Sequence, residues 1–495
     1  MKVKIFPENS TFFRFSIANQ ETYNIIKNGF SYELPPFLKK KFGYSHSNLI
    51  KHNSLFYVGL FTRFIEFLEY NNIEYEIQGK IIKKSKIEDK TLDKFINALN
   101  LSYSLYPHQY SAIKSVIENK RQVVLSPTSS GKSLIIAVLM SYFLATNKDP
   151  EKKCVLIVPN KLLVNQMMFD IKDYFSRSNF PIDKFIQLIH SEIKDRDLSK
   201  PIIITTWQSS KGTASAFEEI FKSDLPTKIH TLLYDEVHYS QAPQSRLVIE
   251  SACNAEYKVG LTGTLFDDDQ YKNDVIQGLF GETCQFIRTR ELIDMGFASE
   301  LDIYTMEINF RDQSLPNEMT YQEEVNFLRE SHNYLRFVSG LVSKNCLGGN
   351  TLILHRGVQY GMQAKAFFER YNPGVKTYLM NGGVPAKERE AIRQGLVHEK
   401  GSVLFATFDT MGTGVSIKNL HSAVFLEGIK SNIKTIQSVG RLLRVNEGKD
   451  RAVLFDFVPV FTGRQGFLEK HGMIRQHHYR QEEHNLRKKK IFLDF

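Results

Sequence analysis

The sequence predicts an α/β protein: a small N-terminal α/β module followed by two tandem α/β domains, each built on a parallel sheet. Three observations predict it. At 495 residues the chain exceeds what one ordinary core can fill. From about residue 100, short apolar runs (RQVVLS, KCVLIVP, PIIITT, HTLLYDE, YKVGLTGT) alternate with helix-length sequence, as parallel strands buried on both faces do. A second series, LDIYTMEI, NTLILH, VKTYLM, GSVLFAT, SAVFLEG and RAVLFDF, begins near residue 300.

In chain order, residues 1–80 mix strand-like runs (FFRFSI, EYEIQ) with amphipathic helical ones (ETYNIIKNGF, SLFYVGLFTRFIEFLEYNN) and form the small module. Residues 81–99 lie in a highly charged stretch and are expected to be a connector. The first large domain is placed at 100–285 and the second at 286–495, the latter ending in a basic tail of helical pattern with RKKK at 487–490.

Composition narrows the class. Lys and Arg outnumber Asp and Glu by 64 to 54, a net charge of +10, which suits a polyanionic partner but equally a solvated basic surface. Cys154, Cys253, Cys284 and Cys346 form no CxxC pair, which argues against a disulfide framework or a zinc site and for a reducing cytoplasm. The longest apolar run, LIIAVLMSYFLA at 134–145, is too short to span a bilayer, and MKVKIFPENS lacks a secretory apolar segment, so no membrane partner is expected.

The chemistry centres on SPTSSGKS at 126–133, between the run RQVVLS and an apolar helix. In that context backbone N–H groups from Thr128, Ser129, Ser130 and Gly131 surround phosphate, Lys132 neutralises β/γ charge, and the Ser133 hydroxyl ligates Mg²⁺. Ser126 replaces the usual first glycine, so the tripeptide GKS alone decides nothing. What decides is HTLLYDEVH at 230–238, a strand ending in two carboxylates. Asp235 is the candidate second Mg²⁺ ligand, and Glu236 the candidate base for the attacking water.

PTSSGKS, DEVH and QSVGRLLR at 437–444 resemble motifs I, II and VI of the superfamily-two helicases and translocases. The intervals match too: YPHQ at 106–109, IVPNKLLVNQ at 157–166, ITTWQS at 204–209, GLTGT at 260–264 and ATFDTMGTGVSIKNL at 406–420 are similar to the adenine-reading element and to motifs Ia, Ib, III and V. Within that family, PTSSGKS, TYQEEV, TGVSIKNLH and LEKHG are similar to phage recombination helicases.

The resemblance implies two RecA-like motor domains, with ATP and Mg²⁺ as cofactors. It implies that Gln109 reads adenine, that Arg441 and Arg444 reach the γ-phosphate, and that Thr262, Gly263 and Thr264 relay hydrolysis together with His238. Phosphate-backbone contacts are implied for Pro159, Gln166, Thr206, Gln208, Arg356, Gly382, Thr407 and Gly414. Tyr106 stands where relatives have arginine and Ser416 where many have aspartate, which touches adenine selectivity and a nucleotide contact. The implied substrate is branched or duplex DNA, remodelled by a monomeric motor in a phage-infected host cytoplasm, alongside recombination or single-strand-binding proteins.

Residue chemistry alone does not separate DNA from RNA. The cluster PPFLKKKFGYSH at 35–46 makes residues 1–80 a candidate DNA-binding module, and Trp207 a candidate stacking residue or a buried one. Alternative readings are an RNA helicase, a non-catalytic DNA-binding scaffold, and a restriction-type translocase. The last needs a nuclease centre, for which only PID at 181–183 and EIK at 192–194 offer residues.

Overall fold

The computed structural model describes every residue except 1, 35–38, 41–42, 44, 191, 194–196, 207–223, 268, 311–317, 347, 413–416, 418, 432–434, 436–437, 441, 443–448, 450, 462–464 and 495. The chain divides into two compact units, Met1–Ser126 with Gly131–Phe286, and Pro127–Ser130 with Ile287–Phe495.

The first unit opens with β1 (Val3–Pro7), β2 (Phe12–Ser16), β3 (Ser31–Glu33), β4 (His46–Asn48), β5 (Leu55–Tyr57) and β6 (Tyr75–Ile77). Four of these form a sheet in the order β5-β2-β1-β6, and β3 pairs with β4. Alternation in FFRFS turns Phe13 and Phe15 inward, where they pack edge-on or tilted against Phe56 and Phe64.

Then follow β7 (Arg121–Leu125), β8 (Lys153–Val158), β9 (Ile186–Ile189), β10 (Ile202–Thr206), β11 (Ile229–Asp235), β12 (Tyr257–Thr262) and β13 (Thr283–Gln285). They make one sheet, β13-β7-β12-β11-β8-β10-β9, with every pairing parallel. The helix Lys132–Thr146 is apolar around most of its circumference because it is enclosed on nearly all sides, with nine of its residues buried.

The N-terminal module is not free-standing. Its Phe13, Phe56 and Phe64 belong to the same apolar cluster as Tyr234, Val237, Ile276 and Phe280 of the first large domain. Polar side chains stitch the seam. Tyr57 donates to Glu250 Oε1 at 2.5 Å and accepts from Arg246 Nε at 2.8 Å. The fully buried Lys258 donates to Thr11 Oγ1 at 2.5 Å and to the Ile249 carbonyl at 3.0 Å. Gly278 is needed here, since a Cβ would sit 2.8 Å from Tyr57 Cγ.

Two expectations need correction. The connector 81–99 is not all linker: Asp89–Leu99 is a helix whose Leu92 and Leu99 are buried in the core of the first domain. Likewise the tail is only partly helical. Phe467–Gln481 is a helix, but RKKK falls on a strand, Asn485–Leu493.

The second unit contains β14 (Glu300–Phe310), β15 (Asn350–His355), β16 (Thr377–Met380), β17 (Val403–Thr407), β18 (Leu420–Phe425), β19 (Arg451–Val460) and β20 (Asn485–Leu493). The order is β16-β17-β15-β18-β19-β14-β20, again wholly parallel. As the edge strand, β20 keeps four consecutive cations in a place where charge discourages further strand pairing. Arg487 and Lys489 lie over the Tyr304 ring, at 5.6 Å each.

Candidate nucleotide site and nucleic-acid face

The phosphate-loop residues follow β7 and lead into the helix Lys132–Thr146, whose N-cap is Gly131 in the left-handed region at φ 81°. A Cβ at Gly131 would also meet Gln109 Nε2 and have to push that amide aside, though it is the positive φ that calls for glycine. Gln109 is thereby placed against the loop. It is buried at the third position of the helix Pro107–Asn119, with its Oε1 accepting from the Tyr106 amide at 2.9 Å. Ser129 also adopts positive φ, 72°, at a position without glycine's freedom, a conformation that costs about 1 kcal/mol. The loop is braced internally: Ser130 donates to the Pro127 carbonyl at 2.7 Å, and Lys132 Nζ to the Ser126 carbonyl at 3.0 Å. Ser133 shares a 2.6 Å hydrogen bond with Tyr174, a partner that sequence gave no reason to single out.

Motif II lies at the end of β11, two strands from β7 with β12 between them. The Ser126 amide donates to the Thr262 carbonyl at 2.9 Å, which ties the start of the loop to the end of β12. Asp235 is half-buried and stands next to Glu236; burial and then that neighbour push its carboxyl up to about 7, against the pull of nearby Lys132. Glu236 turns off the strand at φ 54°, another left-handed residue without glycine's freedom.

From there a chain of short polar contacts runs to motif III. Glu236 Oε2 lies 3.4 Å from His238 Nδ1, and His238 Nδ1 lies 3.0 Å from Thr262 Oγ1. Thr262 donates to the Thr264 carbonyl at 2.9 Å. His238 is buried, which lowers its pKa and keeps the ring neutral, and its Nε2 has no hydrogen-bond partner. Gly263 lies in the turn between the two threonines. Asp235 and Ser133 are oxygen donors of the kind magnesium prefers. Among the described residues, no group of three His, Cys, Asp or Glu is placed to hold a metal ion.

The candidate nucleic-acid residues mostly collect at the C-terminal ends of strands, where ligands meet open parallel sheets. In the first unit Pro159 follows β8, Thr206 ends β10, and Gln166 lies half-buried on the helix Lys161–Tyr174. In the second unit Arg356 follows β15 and is exposed, Gly382 is exposed in the turn after β16, and Thr407 ends β17. Thr407 is buried, and its hydroxyl is shared with Thr410 at 2.8 Å. Gln208, Gly414, Arg441 and Arg444, together with Trp207 and Ser416, lie outside the described residues, as does most of 35–46. Of the nuclease candidates, Glu192 is paired with Lys161, Asp183 lies 3.9 Å from Lys172, and Lys194 is outside the described residues.

Two parallel-sheet domains, with a phosphate-loop sequence after β7 and an acidic pair at the end of β11 in the first sheet, define a P-loop motor of the helicase kind. Family comparisons agree. The description "Type III restriction enzyme, res subunit" matches residues 102–267 and "Helicase conserved C-terminal domain" matches 334–446, together more than half of the chain. The chain belongs to the superfamily-two helicases and is an ATPase of that family.

Among individual proteins, it is 27% identical over 497 residues to the ATP-dependent DNA helicase uvsW of Enterobacteria phage T4, an alignment covering 94% of this chain and 95% of that protein. The crystal structure of T4 UvsW matches with a TM-score of 0.50 and 23% identity, over 99% of this chain and 100% of that one. The DEAD-box helicase Mss116, bound to single-stranded RNA and UDP-BeF, matches with a TM-score of 0.57 and 14% identity, over 81% and 78%. These structural likenesses establish the fold, two tandem RecA-like domains.

Proposed function

We propose that this chain is an ATP-driven DNA translocase that remodels branched DNA, such as forks and four-way junctions, in phage recombination, repair and replication. The observation that carries the reading is the run of contacts from Glu236 through His238 to Thr262, beside an Asp235 carboxyl that feels the charge of Lys132. It joins the acidic pair to the end of β12 with no break longer than 3.4 Å from Glu236 onward. Near-full-length similarity to a phage DNA helicase supports the choice of substrate.

In this reading, Thr128 to Ser133 hold the phosphates and Gln109 the adenine. Ser133 and Asp235 would hold magnesium, which neutralises developing charge on the phosphoryl oxygens. Glu236 orients the attacking water and takes its proton. Neutral His238 passes the change at Glu236 on to Thr262 and Thr264. Arg441 and Arg444 are assigned to the γ-phosphate. Pro159, Gln166, Thr206, Gln208, Arg356, Gly382, Thr407 and Gly414 are assigned to the sugar-phosphate backbone, which carries affinity without sequence preference. The chain acts as a monomer in the host cytoplasm, beside recombination or single-strand-binding proteins.

The test is ATP hydrolysis and product analysis with matched single-stranded, duplex, forked and four-way substrates of DNA and of RNA. Stimulation greatest with branched DNA is expected. Stimulation by RNA alone would reassign the substrate, and none with either would leave a binding scaffold.

A further inference from the structure

A cavity of about 530 Å³ opens at the C-terminal edge of the second sheet. The ends of β15, β17 and β18 form its floor, and two helices far apart in sequence wall it in. Tyr321, Val325 and Arg329 come from the helix Tyr321–Glu330, and His471 from the helix Phe467–Gln481. Arg356 and Lys430 enter from the loops.

Charge in this cavity is unbalanced. Buried Glu427 accepts from Arg329 Nε at 2.6 Å and from the Arg356 backbone amide at 2.9 Å, so it fixes Arg329 and the loop. The Arg356 guanidinium and Lys430 Nζ make no ion pair among the described residues, and both residues are exposed. Asp409 is the acidic residue in the lining. Burial and then the cations Arg475, Lys430 and Arg356 push His471 down to about 4, so it adds no charge at neutral pH.

The rest of the lining suits a flat ring. The Arg356 guanidinium lies 5.2 Å from the Tyr321 ring centre, making a π surface, and the His471 ring is 5.4 Å from Tyr321. Val325, Phe408 and Ile429 supply apolar wall. Tyr321 Oη and His471 Nδ1 are shut off from solvent and have no hydrogen-bond partner among the described residues, so it is the ring faces that the cavity offers. Cations with no ion pair among the described residues ask for an anion, the aromatic wall asks for a planar ring, and the volume fits one small ligand rather than a helix.

We propose that this cavity takes one unstacked nucleotide of the bound strand, its base against the Tyr321–Arg356 surface and its phosphate on Arg356 and Lys430. The proposal rests on the reading that the chain acts on nucleic acid. It adds Tyr321, Lys430 and His471 to the contact surface and gives Arg356 a base to stack on as well as a phosphate to hold.

The test uses the full chain with single-stranded and forked oligonucleotides carrying one 2-aminopurine at successive positions. Emission should rise at one register. Tyr321→Ala should abolish that rise and weaken binding about tenfold. Tyr321→Phe should keep the rise, and Lys430→Gln should lower the salt dependence of binding by about one counterion. Thermal melting of each variant separates these effects from misfolding. Strand binding with no positional emission, or a well-folded Tyr321→Ala that binds like wild type, overturns this proposal alone. Failure to bind any strand overturns the broader reading with it. Occupancy by free dAMP without displacement of oligonucleotide makes the cavity a small-molecule site and also overturns the proposal.

Discussion

At the scale of single residues, the acidic pair concentrates the tension in the site. Burial and the neighbouring Glu236 push the Asp235 carboxyl up to about 7 in the folded chain, well above the ordinary aspartate value near 4. A carboxyl raised in this way favours folding below its unfolded pKa, and that contribution is lost as pH rises through about 4 to 7. Asp235→Asn should therefore raise the melting temperature more at pH 8 than at pH 5, while ATP hydrolysis is lost; equal shifts at both pH values would contradict the assignment. Glu236→Gln should still bind ATP but turn over at least about 100-fold more slowly, as a single-turnover assay would show. Lys132→Ala should abolish turnover and leave strand binding largely intact, as measured by anisotropy. These residues were legible in the sequence because each sits at a fixed offset within a short motif. Tyr321 and His471 were not: TYQEEV and LEKHG carried a family likeness, but nothing local indicated that they would share a cavity.

At the scale of elements, the seam beneath the N-terminal module depends on a few buried polar side chains. Arg246→Ala removes the donor from both Tyr57 and Glu250, and should cost about 2 kcal/mol in a denaturation experiment. The helix Asp89–Leu99 was written in the sequence, since Leu92, Phe95, Ile96 and Leu99 follow helical spacing, but dense charge around it reads as linker. For β20 the difficulty was greater. Four successive cations hide any alternation, and pairing with β14 is a contact across the length of the second domain that no local pattern announces.

At the scale of the whole molecule, tandem parallel sheets were legible because strands buried on both faces are apolar throughout. Domain independence was not, because a shared core is a long-range property. Residues 1–80 look separable in sequence, yet their phenylalanines complete the cluster around Tyr234 and Phe280. Deleting them should therefore abolish basal ATPase along with DNA processing, and lower the melting temperature of what remains. Loss of junction processing with intact basal ATPase would show the module to be dispensable for folding.

The place of β20 bears on how the protein is made. It is made after every other strand of its sheet, yet it closes the exposed flank of β14, the first of them to be synthesised. The second sheet thus stays unfinished until Asn485–Leu493 has been made, and a chain without that segment would keep a bare hydrogen-bonding margin along β14, open to sticking to its neighbours.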